Sequence, residues 1–267
     1  MAVLDLSADI WSAALSMPPA QRPDVLVLEG TWWRERATQV RLAQLTDVAE
    51  TAFPDIFTGT YNGAKVAYCC AYGAARAVEP AHVFAQMGTP LIVQIGTCGA
   101  LSRDLRAGMI MVPDQVAPRD GLSHLYGAKG DLSLDAGWSN RARYIAGEMG
   151  FDTRGGRHLT WPSLFAQSDS MCDAWTREGF QSVDMEVSAV VAVANKFGAA
   201  AVALLSVWDA LPDGKTFLDP LDDADTMALS RSNEAVFEIA LRMSTEVITE
   251  QETGRGAGTK TPVAKAM

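Results

Sequence analysis

Five short apolar runs decide most of what this chain can become: DVLVLEG (24–30), KVAYCC (65–70), PLIVQIG (90–96), GMIMVP (108–113) and AAAVALLSV (199–207). Runs of this length, apolar at consecutive positions, suit strands covered on both faces. Helical patterns lie between and after them. RAVEPAHVFAQMG (76–88) and EVSAVVAVANKFG (186–198) each stop on a glycine. SNRARYIAGEMG (139–150) has Ser139 or Asn140 as a cap and Gly150 as a terminator, and residues 222–250 read as one or two helices. In TGTYNGAKVAY (58–68), Asn62-Gly63 sits between strand-like flanks, a hairpin signal. Strands alternating with helices, plus one hairpin, predict an α/β fold with a mixed central sheet. No linker-like shift interrupts residues 20–250, so residues 1–250 read as a single domain. The stretch QETGRGAGTKTPVAKAM (251–267) is polar and aperiodic and is expected to be a disordered tail.

Charge and composition exclude several functions. Hydrophobic residues make up 48% of the 267, enough for a substantial core. The formal net charge of −10 repels phosphate backbones, so nucleic acid is not an expected partner. No apolar run reaches the length of a membrane span, and MAVLDLSADIWSAALSM lacks the basic start of a signal peptide, so no membrane and a cytoplasmic location are expected. Cys69, Cys70, Cys98 and Cys172 form no C-x-x-C pair, and His82, His124 and His158 show no ligand spacing. Neither a zinc site nor any other metal is implied, and the cysteines read as free thiols.

Several stretches combine chemistry with a strand end, and each leaves two readings open. IGTCGAL (95–101) is either an anion-binding turn, with Thr97 adding a hydroxyl, or a packing turn. In LEGTWWRER (28–36), Arg34 is either an oxyanion clamp behind the Gly30 turn or a surface arginine. LLSVWDALPDG (204–214) ends an apolar strand on Asp209, which is either a buried acid of raised pKa or a turn cap. APRDGLSHLYG (117–127) is either a functional loop or polar surface. GFQSVDMEVSAV (179–190) sets Asp184 and Glu186 at the start of a core-like run, where an acid needs a partner.

Taken in order, these stretches resemble the nucleoside phosphorylase and nucleosidase superfamily, which includes purine nucleoside phosphorylase, uridine phosphorylase and methylthioadenosine/adenosylhomocysteine nucleosidase. VDMEVSA (183–189) is similar to the family's V-E-M-E-A/S-A signature, IGTCGAL to its G-S/T-x-G loop and FTGTYNG (57–63) to its hairpin. RDGLSHLY (119–126) resembles a stretch of the uridine phosphorylase branch, and SVWD (206–209) the V-S-D element of the purine branch. The resemblance implies a three-layer α/β/α sandwich and cleavage of an N-glycosidic bond. Such cleavage builds positive charge on the ribose and negative charge on the departing base. By the same resemblance Glu186 chelates the 2′ and 3′ hydroxyls, with Met185 on the ribose face and Asp184 a shorter substitute for a glutamate. Asp209 hydrogen-bonds N7 of a purine, and Phe165 stacks on the base. Trp161, Gln167 and Trp208 are further candidates for the pocket. Gly30, Arg34 and Thr97 match the phosphate site.

The chain also departs from that pattern. Gln94 stands where phosphorylases carry an arginine, and no counterpart to a second, neighbour-donated arginine appears near TAFPDIFTG. Arg119 and Arg76 are candidate replacements. The glutamate that activates water in nucleosidases is replaced by Arg34. No histidine precedes His82 to reach a 5′-hydroxyl, which leaves His124 as a candidate. The expected reaction is phosphorolysis of a purine nucleoside to base and ribose 1-phosphate. The alternatives are hydrolysis to base and free sugar, or nucleoside binding without turnover. No cofactor is implied beyond inorganic phosphate as co-substrate. The expected partners are a small-molecule nucleoside and further copies of the chain in a dimer-based homo-oligomer, with the hexamer as one form.

Overall fold

Along Val25–Gly30 (β1) the side chains alternate between two apolar environments. Val25 and Val27 pack in one core, Leu26 and Leu28 in the other. A strand that is apolar throughout therefore feeds both faces of one sheet. The computed structural model describes residues 4–257, and every strand among them belongs to that sheet.

Ala8–Ala14 (α1) precedes β1, and Arg34–Leu42 (α2) follows it. Thr46–Glu50 (β2), Ile56–Tyr61 (β3) and Ala64–Cys70 (β4) form an antiparallel meander. Its tight turn has positive φ at both Asn62 (46°) and Gly63 (87°), as a two-residue hairpin demands. Ala74–Gln86 (α3) leads into Leu91–Ala100 (β5). Short pieces follow: Ile110–Met111 (β6), Gln115–Pro118 (β7) and Leu132–Ser133 (β8). Ala136–Glu148 (α4), Thr153–Arg154 (β9), Arg157–Thr160 (β10) and Asp169–Arg177 (α5) come next. Ser182–Asp184 (β11), Val187–Phe197 (α6), Ala200–Ala210 (β12) and Asp223–Ala257 (α7) complete the described chain.

The helices sort by face. α1, α3 and α6 cover Leu26, Leu28 and Leu205, while α4 and α7 cover Val27, Val93 and Leu204. The sheet is mixed: β4, β1, β5 and β12 run parallel, while β3 runs against β4, β6 against β12 and β11 against β5. This is the three-layer α/β/α sandwich expected from the sequence. Among the described residues no helix is long and apolar enough to cross a membrane.

Three boundaries differ from expectation. The run 108–113 contributes only Ile110–Met111 to the ladder, because β6 meets β12 over two residues. α4 begins at Ala136, where the Asp135 carboxylate accepts the Trp138 N–H; Ser139 is buried and is not the cap. α7 is one helix and runs seven residues into the expected tail, 251–257, while 258–267 lie outside the described residues.

One feature of the topology positions everything functional. β5 pairs with β1 only from Leu91 to Gly96, and at Gly99 and Ala100 it pairs instead with antiparallel β11. On its other edge β12 accompanies β5 along its whole length. The sheet is thus split where β1 stops, at the carboxyl ends of its parallel strands, where open α/β sheets bind ligands.

Candidate active site

A cavity of about 380 Å³ fills that split. Gly30 and Thr31 floor it from the end of β1, Thr97 to Gly99 from β5, Val183 to Glu186 from β11, and Trp208 and Asp209 from β12. Aromatic side chains close the mouth in an unbroken series. Tyr72 lies 5.6 Å from Trp32, Trp32 5.7 Å from Phe165, Phe165 6.3 Å from Phe217, and Phe217 6.5 Å from Trp208. Trp208 in turn stacks on Trp33 at 5.6 Å and 24°.

Glu186 takes its place from the junction of β11 and α6. Asp184 Oδ2 accepts the N–H groups of Glu186 and Val187 at 3.0 and 2.8 Å, which satisfies the first turn of α6. Asp184 Oδ1 accepts the Thr160 hydroxyl at 2.7 Å, and the His158 Nε2 lies 2.9 Å away, out of line for a hydrogen bond. Asp184 is therefore engaged on both oxygens and acts as a cap, although it lines the cavity. Glu186 is buried, and its Oε1 accepts the Gly73 N–H at 2.6 Å. Burial first, then the adjacent Asp184 charge, holds its pKa well above the usual carboxylate range. A Cβ on Gly30 would stand 2.7 Å from the Glu186 carboxyl carbon, so only glycine leaves room for that carboxylate over β1.

The opposite face of β1 holds a second buried glutamate. Glu29 receives Arg41 through Nε and Nη2, both at 3.0 Å, and the Tyr68 hydroxyl at 2.7 Å. Arg41 also donates to the Asn233 backbone oxygen and Oδ1 at 2.8 Å, which ties α2 to α7.

Asp209 reaches the cavity through a bulge. The β5–β12 register shifts between Val207 and Asp209, leaving Trp208 as the additional residue. Successive residues of a regular strand point to opposite faces, whereas here Trp208 and Asp209 both line the cavity. Burial and the charge of Asp219 raise the Asp209 carboxyl to about 7, and its Oδ1 has no partner among the described residues.

Eight of the expected site residues meet in this cavity: Gly30, Thr97, Gln167, Asp184, Met185, Glu186, Trp208 and Asp209. Phe165 stands at the rim, 72% exposed and edge-on to Trp32, so it guards the opening and is not buried within it. Two expected phosphate contacts lie elsewhere. Gln94 sits in the middle of β5 in register with Leu28 and Ala203, buried, with its Nε2 donating to the Ile95 carbonyl at 3.0 Å. Arg34 opens α2, where Asp55 holds its guanidinium at 3.0 Å in a neighbouring cleft. Trp161 also stays outside, packed 5.3 Å from Trp175.

The 117–127 loop clasps α6 and does not enter the cavity. Burial raises and the hydrogen bonds of Ser123, Ser188 and the Leu122 and Ser123 amides lower the Asp120 pKa, with a net lowering. Through Ser188 this carboxylate ties the loop to α6. Arg119 pairs with Glu178 over the Phe180 ring, and His124 lines a separate cleft with Lys129 and Arg157. Tyr72, Phe217 and Leu218, which line the cavity, carry no motif that singles them out.

The fold is an α/β/α sandwich with a cavity that holds buried acids at the split end of its mixed sheet. Residues 35–245 match the family described as the Phosphorylase superfamily, and the chain belongs to it. A DeoD-type purine nucleoside phosphorylase of Geobacillus kaustophilus is 25% identical over 193 residues, covering 70% of this chain and 79% of the relative. Its counterpart in Myxococcus xanthus is 25% identical over 214 residues, covering 76% and 87%. Among solved structures, uridine phosphorylase from Vibrio fischeri superposes with a TM-score of 0.73 at 18% identity, over 85% of this chain and 94% of that one. The 5′-methylthioadenosine/S-adenosyl homocysteine nucleosidase of Campylobacter jejuni gives 0.69 at 14% identity, over 83% and 98%. At these identities the two structures share the fold with this chain.

Proposed function

We propose that this chain hydrolyses the N-glycosidic bond of a purine nucleoside, releasing base and free sugar. The observation that carries it is one cavity holding both Glu186 and Asp209, with no lysine, arginine or histidine lining it among the described residues. Glu186 accepts the 2′ and 3′ hydroxyls of the ribose, and those two donors offset the cost of its buried charge. With both hydroxyls donating to it the ionised form is favoured, and that negative charge then stabilises the sugar as it becomes cationic. Met185 packs on the ribose. Asp209, its carboxyl raised to about 7, is protonated in about half of the molecules at neutral pH, and that form donates to N7 of the departing purine. Water beside Gly30 and Thr97 attacks the anomeric carbon as the bond to the base breaks; the oxygen's surplus proton leaves to solvent, and Asp209 regains its own from solvent. A phosphate dianion at that point would face Glu186 and Asp184 without a guanidinium in the same cavity.

Phosphorolysis is the second reading. The presence of Gly30 and Thr97 in the cavity supports it, as do the names of the relatives. Release of free base from adenosine, inosine, guanosine and uridine, followed with and without inorganic phosphate, separates the two. Hydrolysis predicts equal purine release in both conditions with free ribose as product. Strict dependence on phosphate, with ribose 1-phosphate formed, would overturn it. A dimer-based homo-oligomer in the cytoplasm belongs to the same reading, and sedimentation velocity checks the assembly.

A further inference from the structure

We infer that the open cleft beside the cavity binds a phosphate group carried on the 5′ carbon of the substrate, so that the preferred substrate is a purine nucleoside 5′-monophosphate. The inference rests on the nucleoside-cleaving reading above and names the substrate class of that site. The cleft, of about 720 Å³, shares Thr31, Trp32, Trp33 and Tyr72 with the cavity. Its other walls carry Arg34, Arg36 and Arg76. Three guanidinium groups in one cleft run against the net charge of −10, and among the described residues the one carboxylate lining it is Glu35.

These cations can accept an anion. Arg36 is exposed and has no hydrogen-bond or ion-pair partner among the described residues. Arg34 is held by Asp55 in an exposed pair, which water weakens and a phosphate can displace. Arg76 lies in the first turn of α3 and donates to the Pro54 carbonyl at 3.3 Å. A planar fork of donors suits phosphate oxygens.

The placement matches a 5′ substituent. Tyr72 lines both spaces, and the next residue, Gly73, donates its N–H to Glu186. The cleft thus begins one residue from the contact that holds the sugar carboxylate. With the diol on Glu186 and the base at Asp209, the shared walls Thr31, Trp32 and Tyr72 are left for the remaining arm of the ribose. Gly30 and Thr97, beside which any attacking group must sit, do not line the cleft. Its arginines therefore serve a group remote from the reacting carbon.

Steady-state cleavage of AMP and adenosine by the full chain, wild type and Arg36→Ala, tests this. The wild type is expected to favour AMP by at least about tenfold in kcat/KM, since a charged hydrogen bond supports a difference of that size. Arg36→Ala should remove most of that preference while leaving adenosine turnover unchanged. Equal kcat/KM for the two substrates, or a preference untouched by the substitution, overturns the inference. So does acceleration of adenosine cleavage by inorganic phosphate that Arg36→Ala abolishes, because the cleft then holds the attacking anion. If neither compound is cleaved, the catalytic reading fails, and calorimetric binding decides separately. AMP at least tenfold tighter than adenosine supports the cleft, and equal affinity refutes it.

Discussion

Two buried glutamates flank the end of β1, and they are provided for in opposite ways. Glu29, on the α7 side, has a bidentate arginine and a tyrosine hydroxyl. Glu186, on the α6 side, has one backbone N–H at 2.6 Å and a like charge beside it in Asp184. A buried carboxylate with a matched cation is a structural tie; one without a cation needs a partner that the chain does not supply. Asp209 belongs with Glu186, since it too is buried without a cation and its Oδ1 has no partner among the described residues. On the proposed function, the contrast separates residues that hold the split sheet together from residues that meet the ligand.

Substitutions can break that contrast, and the largest effect is expected at Asp209. Asp209→Asn should lower purine release by about 10²–10⁴-fold, the range for losing a positioned acid, with a much smaller change in binding. Undiminished turnover would remove the proton-donor role. Next comes the matched pair. Arg41→Ala leaves Glu29 buried and alone and should cost about 3–5 kcal/mol of stability in urea unfolding. A loss below about 1 kcal/mol would mean that Glu29 is as unprovided for as Glu186. Glu186→Gln should behave in the reverse manner, with purine cleavage down by about 10²–10³-fold and no loss of melting temperature. Unfolding of that variant would make Glu186 a structural residue. Gly30→Ala sharpens the point, because its methyl must push the Glu186 carboxylate aside. A fall of up to about 10²-fold in kcat/KM is expected, and unchanged kinetics would show that the carboxylate position is not critical.

The smallest effect is in stability against pH. The Asp209 carboxyl sits near 7 in the fold against an ordinary value of 3.8. Between those values the native chain keeps a proton that the unfolded chain has released. Stability therefore falls as pH rises from about 4 to about 7. Asp209→Asn should show a shallower fall, keeping only the part due to Glu186, and be the more stable form at pH 8, with little difference at pH 4. Parallel stability curves for the two proteins would contradict the raised pKa.

Much of this contrast could be read in the sequence, and part of it could not. β1, β4, β5 and β12 are visible as apolar runs because both faces of each are covered. The Asn62-Gly63 hairpin and the Gly198 stop of α6, at φ 80°, are local backbone requirements and equally plain. β7 to β11 are two to four residues long and gain their identity from pairing with distant segments, so no local period announces them. α2 carries few apolar residues on any face and is held by the Arg41–Glu29 tie. At the site, Glu186 and Asp209 are legible because an acid beside an apolar run needs a reason. Which way Gln94 points, and whether Arg34 faces the cavity or Asp55, depends on alternation and on a partner 21 residues away. The capping work of Asp184 is equally hidden until β11 and β10 lie side by side.

The stacked indoles of Trp33 and Trp208 form part of the cavity wall, 5.6 Å apart. The protein therefore carries its own optical probe at the place where a purine would lie. Any ring that slides between or against those two fluorophores alters their emission directly, without an added dye or label.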